Sequence, residues 1–169
     1  STNGFGVTIN PGEYYWGCNS DLLNKALLLI FAYEQTNNVG YYQTALMQLN
    51  YILGTNAHNI SFVTGVGTNS VMHPHHRPSV ADGVIIPVPG LLAGGPDQYL
   101  DDPVLQSHFN NSTPPALCYI DDVGSYASNE IAINWNAPLV FVSGYFNAEG
   151  LTSVDDQGIN LVPDKFELN

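Results

Sequence analysis

Basic charge is nearly missing from this chain. Three residues, Lys25, Arg77 and Lys165, stand against 15 acids, so the 169 residues carry a formal net charge of -12. Such a surface repels phosphate backbones, which argues against a nucleic-acid partner and favours a neutral ligand. Cysteine is scarce as well. Cys18 and Cys118 lie far apart and make no CxxC spacing, which leaves either one disulfide or two buried free thiols. Long apolar runs are also lacking: the longest, around 26–32, suits a buried helix and is too short to cross a membrane. Internal repeats and low-complexity tracts are absent from the sequence, and no leader-type segment opens it at Ser1.

What is present fits a single domain with a sizeable core, since 44% of the residues are hydrophobic and only 11% are charged. Ten tyrosines and 16 glycines accompany many Asn and Ser. Aromatic faces stack on sugar rings and amides hydrogen-bond hydroxyls, so uncharged, hydroxyl-rich molecules match this composition.

Apolar periodicity predicts a first helix from Asp21 to about Gln35, capped by Asn19 or Ser20, with Leu22, Leu23, Ala26, Leu27, Ile30 and Phe31 on one face. Thr36-Asn37-Asn38 supplies a turn. A second helix is expected from about Gly40 to Leu53, with Gly54 as its stop. From 55 to 119 the periodicity vanishes into Gly, Pro, Asn and His, except for a helical turn starting at Asp102-Pro103. Unpatterned stretches of that length inside a domain are usually functional or disordered, and the aromatic and His content here favours function. A last helical stretch covers 128–146, interrupted at Pro138. Residues 1–147 form the expected domain, and 148–169 read as a polar tail, linker or the start of a following element.

Two stretches carry chemistry. In DDVGSYASNEIAINWNAPLV, residues 121–140, Glu130 sits among Ile131, Ala132, Ile133 and Trp135. An apolar setting with Asp121 and Asp122 nearby favours a carboxyl that keeps its proton, which suits a general acid. The plainer reading is a glutamate in the first turn of a helix, favoured by the macrodipole. The second stretch is MHPHHRP, residues 72–78, with three of the five histidines and the only arginine. His73 and His75 would share one face of an extended segment, a start for a metal site, but no third ligand is signalled and Arg77 would repel a cation. A hydrogen-bonding platform for substrate is the better reading of the cluster, with His73 or His76 serving the loop itself. Arg77 offers a rigid fork of donors for a carboxylate or paired hydroxyls, or else a loop-stapling ion pair to an acid such as Asp82.

SFVTGVGTNSVMHPHHR, residues 61–77, followed by PGLLAGGPD, residues 89–97, resembles the His-bearing signature of family 9 glycoside hydrolases. YIDDVGSYASNEIAINWNA, residues 119–137, resembles the acid-bearing signature of the same family, and the similarity spans about 13–146, including YYWGCNS ahead of the first helix. That resemblance implies a mostly cellulolytic enzyme of secreted, extracellular origin that cleaves β-1,4-glucosidic bonds with inversion. The implied fold is all-α, the C-terminal part of an (α/α)6 barrel with long functional loops. It implies Glu130 as general acid and Asp121 as the second carboxylate of that signature, ordering the site. His75 and Arg77 match the substrate-binding pair near the point of cleavage, with His75 also close to the catalytic centre. Tyr126 matches a cleft wall. No cofactor is required; calcium is allowed, with Asp97, Asp101 and Asp102 as oxygen donors.

One departure is large. The Asp-Ala-Gly-Asp motif that bears the family's water-activating base is missing, and Asp97, Asp101, Asp102, Asp121 and Asp122 stand in other contexts. The resemblance therefore implies the C-terminal part of a catalytic module, with Ser1 lying inside a parent enzyme. The expected partners are a β-glucan and either the N-terminal remainder of the module or a second copy of this chain. The rival reading is a non-catalytic glucan-binding piece.

Overall fold

The computed structural model describes residues 4–157. Three long helices form the scaffold: α1 (Cys18–Thr36), α2 (Val39–Ile52) and α6 (Ile133–Gln157). Between α2 and α6 run three short ones, α3 (Arg77–Ala81), α4 (Pro103–His108) and α5 (Tyr126–Asn129), together with a 3-10 turn at Pro115–Leu117. Among the described residues the only extended pairing is in isolated bridges. The expected all-α class stands.

The α1–α2 hairpin follows the predicted periodicity. Leu22, Leu23, Ala26 and Ile30 of α1 are buried against Ala45, Leu49 and Ile52 of α2. Asn37 closes α1 in the left-handed region at φ 52°, and the Asn38 carboxamide caps α2 by accepting from the Gly40 N–H at 3.0 Å. α6 packs across α1, bringing Phe141 to Phe31 with ring centroids 5.7 Å apart, while Tyr145 donates to the Glu34 carboxylate. Phe31 stays half exposed.

Two helix boundaries differ from the periodicity. α1 starts at Cys18, and its first residue follows Gly17 with no side-chain cap. Asn19 and Ser20, the expected caps, lie inside the helix and are buried. The Asn19 amide donates to the Ala93 carbonyl at 3.0 Å, so its hydrogen bonding serves the neighbouring loop. α6 also runs through Pro138, which is buried near its start; the break expected there falls instead at Glu130–Ala132. Long-range pairing is the cause. His75 N–H donates to Asn129 C=O at 2.9 Å, Gly95 N–H to Ser128 C=O at 2.9 Å, and Ile131 bridges Ala93, so the last carbonyls of α5 are engaged elsewhere and the chain runs extended past Asn129. α6 reaches Gln157, beyond the start of the expected tail, and 158–169 lie outside the described residues.

The segment expected to lack periodicity is ordered by polar staples. Asp102 caps α4, its Oδ1 accepting from Leu105 N–H at 2.8 Å, with Pro103 in the first position as predicted. Its other oxygen accepts from Ser125 Oγ at 2.8 Å and Ala127 N–H at 2.9 Å, which ties α4 to α5. Both cysteines are free and buried: Cys18 Sγ donates to the Pro96 carbonyl at 3.2 Å, which removes the disulfide alternative. Burial pushes both thiols up from their ordinary range, Cys18 most strongly. No helix among the described residues is long and apolar enough to cross a membrane.

Candidate functional site

Glu130 ends α5 with an extended backbone, φ -58° and ψ 144°, and pairs in parallel with His75. It precedes α6, so the first-turn reading does not hold. Nor do its sequence neighbours wall it off: Ile133 is 93% exposed and the Glu130 side chain itself is partly open. What holds the carboxyl is Trp16, whose indole Nε1–H donates to Oε2 at 2.9 Å. Trp16 in turn leans on Tyr126 at 5.3 Å between ring centroids, and Tyr126 meets the His75 ring edge-on at 6.1 Å. Tyr126 Oη donates to the Asp101 carbonyl at 3.2 Å.

His75 is oriented by its own bond to Val123 C=O, 2.6 Å from Nδ1; a carbonyl only accepts, so Nδ1 is the donor there and Nε2 is the nitrogen left for other partners. A groove of about 230 Å³ lies beside it, lined by His75, His76, Arg77, Val80 and Val123. Arg77 is exposed at the first turn of α3 and makes no ion pair among the described residues, so the alternative of a staple to Asp82 is not formed.

The Asp121 carboxylate accepts from the Met72 N–H at 2.8 Å and the His73 N–H at 2.9 Å, with His73 Nδ1 at 3.3 Å. It fastens the start of the His-bearing loop. His76 is turned to Ser79 Oγ at 2.9 Å, so the three clustered histidines face different partners. Asp122 accepts from Gly124 N–H at 2.7 Å. Asp97 is fully buried; its oxygens accept from the N–H groups of Tyr99 at 3.0 Å and Asp101 at 2.8 Å, and burial raises its carboxyl above the usual range. Among the described residues no three His, Cys, Asp or Glu side chains gather around one point as metal ligands would.

Glu130, His75 and Tyr126 are thus brought together, with Arg77 lining the adjacent groove and Asp121 bonded to the loop at 72–73. Trp16 was not among the expected site residues. Its only sequence signal was the YYWG run at the head of α1, and nothing local links it to an acid 114 positions away.

The profile of Glycosyl hydrolase family 9 matches residues 2–143. The chain is 38% identical over 139 residues to a cellulose 1,4-beta-cellobiosidase of Acetivibrio thermocellus, covering 80% of this chain and 16% of that protein. It is 41% identical over 143 residues to a xyloglucan-specific endo-beta-1,4-glucanase of Bacteroides ovatus, covering 84% of this chain and 24% of that protein. Among solved structures, AaCel9A in complex with cellobiose-like isofagomine superposes with a TM-score of 0.81 at 37% identity, over 86% of this chain and 28% of that one. The chain therefore spans a quarter or less of the length of these two relatives.

Proposed function

This chain belongs to glycosyl hydrolase family 9 and has the all-α architecture of part of an (α/α)6 barrel; we propose that it supplies the general acid and part of the glucan cleft of an inverting β-1,4-glucanase. The supporting observation is Glu130, partly open to solvent, held through one oxygen by Trp16 and paired along the backbone with His75. In the proposed step the Glu130 proton passes to the glycosidic oxygen as the C1–O bond breaks and its electron pair goes to that oxygen. Water adds to C1 from the opposite face and gives its proton to a base carboxylate, for which inversion leaves roughly 6.5–9.5 Å between the two carboxyl groups. His75 Nε2 and the Arg77 fork bind hydroxyls of the sugar beside the cleaved bond, Tyr126 lines the cleft, and Asp121 holds the loop that carries His75 and Arg77. The parent protein is a secreted enzyme acting on cellulose or a related β-glucan.

One observation favours a second reading. Asp97, Asp102, Asp121 and Asp122 all accept backbone N–H bonds, from their own loops or from a neighbouring one, which leaves none of them poised as the base. By itself the chain would then bind glucan without cleaving it. The test joins it with a complementary segment of a family 9 module and compares Glu130→Gln with the parent. Hydrolysis of unactivated glucans should fall about 10²- to 10⁴-fold, while substrates whose leaving group needs no proton are spared. Undiminished turnover of cello-oligosaccharides by the variant would end the assignment. The chain alone should release no reducing sugar; if it hydrolyses at ordinary rates, one of its own aspartates is the base.

A further inference from the structure

The Trp16 contact reaches further than holding a side chain still. A neutral carboxyl has one carbonyl oxygen and one hydroxyl oxygen, and the carbonyl oxygen is the better acceptor for an N–H donor. With Trp16 Nε1–H on Oε2 at 2.9 Å, Oε1 is the oxygen left to carry the proton that Glu130 donates in the proposed step. Once that proton leaves, the same N–H faces a carboxylate, and a bond to an ionised acceptor is shorter and stronger. The interaction therefore grows as the acid is used, which is the kind of contact that lowers a barrier without tightening the ground state.

The indole is fixed for this task by its surroundings. Gly17 takes φ 88°, a left-handed conformation, and a Cβ there would lie 2.7 Å from the Trp135 ring. The chain can thus turn sharply at the head of α1, so that Trp16 projects toward Glu130 while Trp135 packs beneath the turn. On its other side Trp16 leans on Tyr126, which is anchored through Oη to the Asp101 carbonyl. Trp16 is 39% exposed, so burial does not account for its placement.

We infer that Trp16 is a positioning residue for the acid: its N–H on Oε2 favours Oε1 of Glu130 as the proton-bearing oxygen and stabilises the carboxylate left after transfer. This rests on the reading of Glu130 given above. Trp16→Phe keeps an aromatic ring against Tyr126 and removes the donor together with the smaller ring of the indole. Two measurements test it. In the chain labelled with ¹⁵N at tryptophan, the indole resonance that is missing from Trp16→Phe should move with pH, and the movement should vanish in Glu130→Gln. In the completed module, Trp16→Phe should lower kcat about tenfold or more on unactivated glucans while KM changes by less than about twofold. A flat indole resonance overturns the proposal, as does a variant whose defect lies in KM alone, the mark of a sugar platform. If Glu130→Gln loses hydrolysis and Trp16→Phe does not, the positioning role fails and the acid reading survives; if Glu130→Gln keeps hydrolysis, the acid reading falls and the proposal with it.

Discussion

The helical scaffold and the loop region between α2 and α6 are held by different forces. In the scaffold, apolar faces repeat at helical spacing and bury Leu22, Leu23, Ala26, Ile30, Leu49 and Ile52. In the loop region carboxylates and amides grip backbone groups instead: Asp102 ties α4 to α5, Asp121 fastens 72–73, and Asn129 Nδ2 reaches the Asp122 carbonyl at 3.1 Å. Burial is non-directional and tolerates small displacements, whereas hydrogen bonds fix positions to tenths of an ångström. Glu130, His75 and Tyr126 all sit in the second kind of structure. The proposed proton transfer to one glycosidic oxygen would gain from that choice.

The contrast can be broken most forcefully through Leu22. It is fully buried, so Leu22→Ala should cost about 2–5 kcal/mol in urea unfolding, through lost transfer energy and the cavity left behind. The amides of 72–77 should keep their order of hydrogen-exchange protection until the whole chain unfolds. Selective loss of protection in that segment would mean that its geometry depends on the scaffold's packing rather than on its own staples.

A smaller stability effect and a larger local one are expected from Asp121→Ala. The carboxylate is about one-fifth exposed and its His73 contact is mostly in solvent, so the global cost should be about 1 kcal/mol. Exchange of the Met72 and His73 amides should nevertheless accelerate, and cello-oligosaccharide binding should weaken, because the loop bearing His75 and Arg77 loses its anchor. If Asp121→Ala destabilised the chain as much as Leu22→Ala, the division between burial and stapling would fail.

This division also explains what the sequence disclosed. α1 and α2 were legible because apolar spacing reports burial along one chain segment, and the Asp102-Pro103 start of α4 because capping is local. Where α6 begins was not legible: the pairing of 128–131 with His75 and 93–95 is set by residues dozens of positions away. Pro138 looked like the interruption because its missing N–H is visible in the sequence, while the bridges at Glu130 and Ile131 are not. The apolar neighbours of Glu130 suggested a dry pocket, yet Ile133 points outward and the controlling contact comes from Trp16. Family signatures suggested the proposed site residues as a set, without the hydrogen bonds that make Asp121 a staple or orient His75.

The subtlest test lies in His58, where a loop staple and burial meet. Its Nε2 bonds the Ala116 carbonyl at 3.0 Å and its ring meets Tyr119 edge-on at 5.3 Å. Burial holds the imidazole below its ordinary value of about 6.5, partly opposed by the bond to Ala116. A depressed folded-state value means that the unfolded chain binds the proton more readily, so stability is complete above about pH 6.5 and drains away as pH falls toward the folded value. Asp97 acts with the opposite sign, because its raised carboxyl contributes stability below the ordinary Asp range that is lost as pH rises through its folded value. His58→Gln keeps a donor for Ala116 and removes only the imidazole's titration, leaving Asp97 unchanged. Urea unfolding of both proteins at about pH 7.5 and about pH 5.5 should therefore show the parent losing more stability on acidification than the variant. Equal losses would show that protonated His58 is accommodated without cost, and that the staple to Ala116 rather than burial governs this part of the loop.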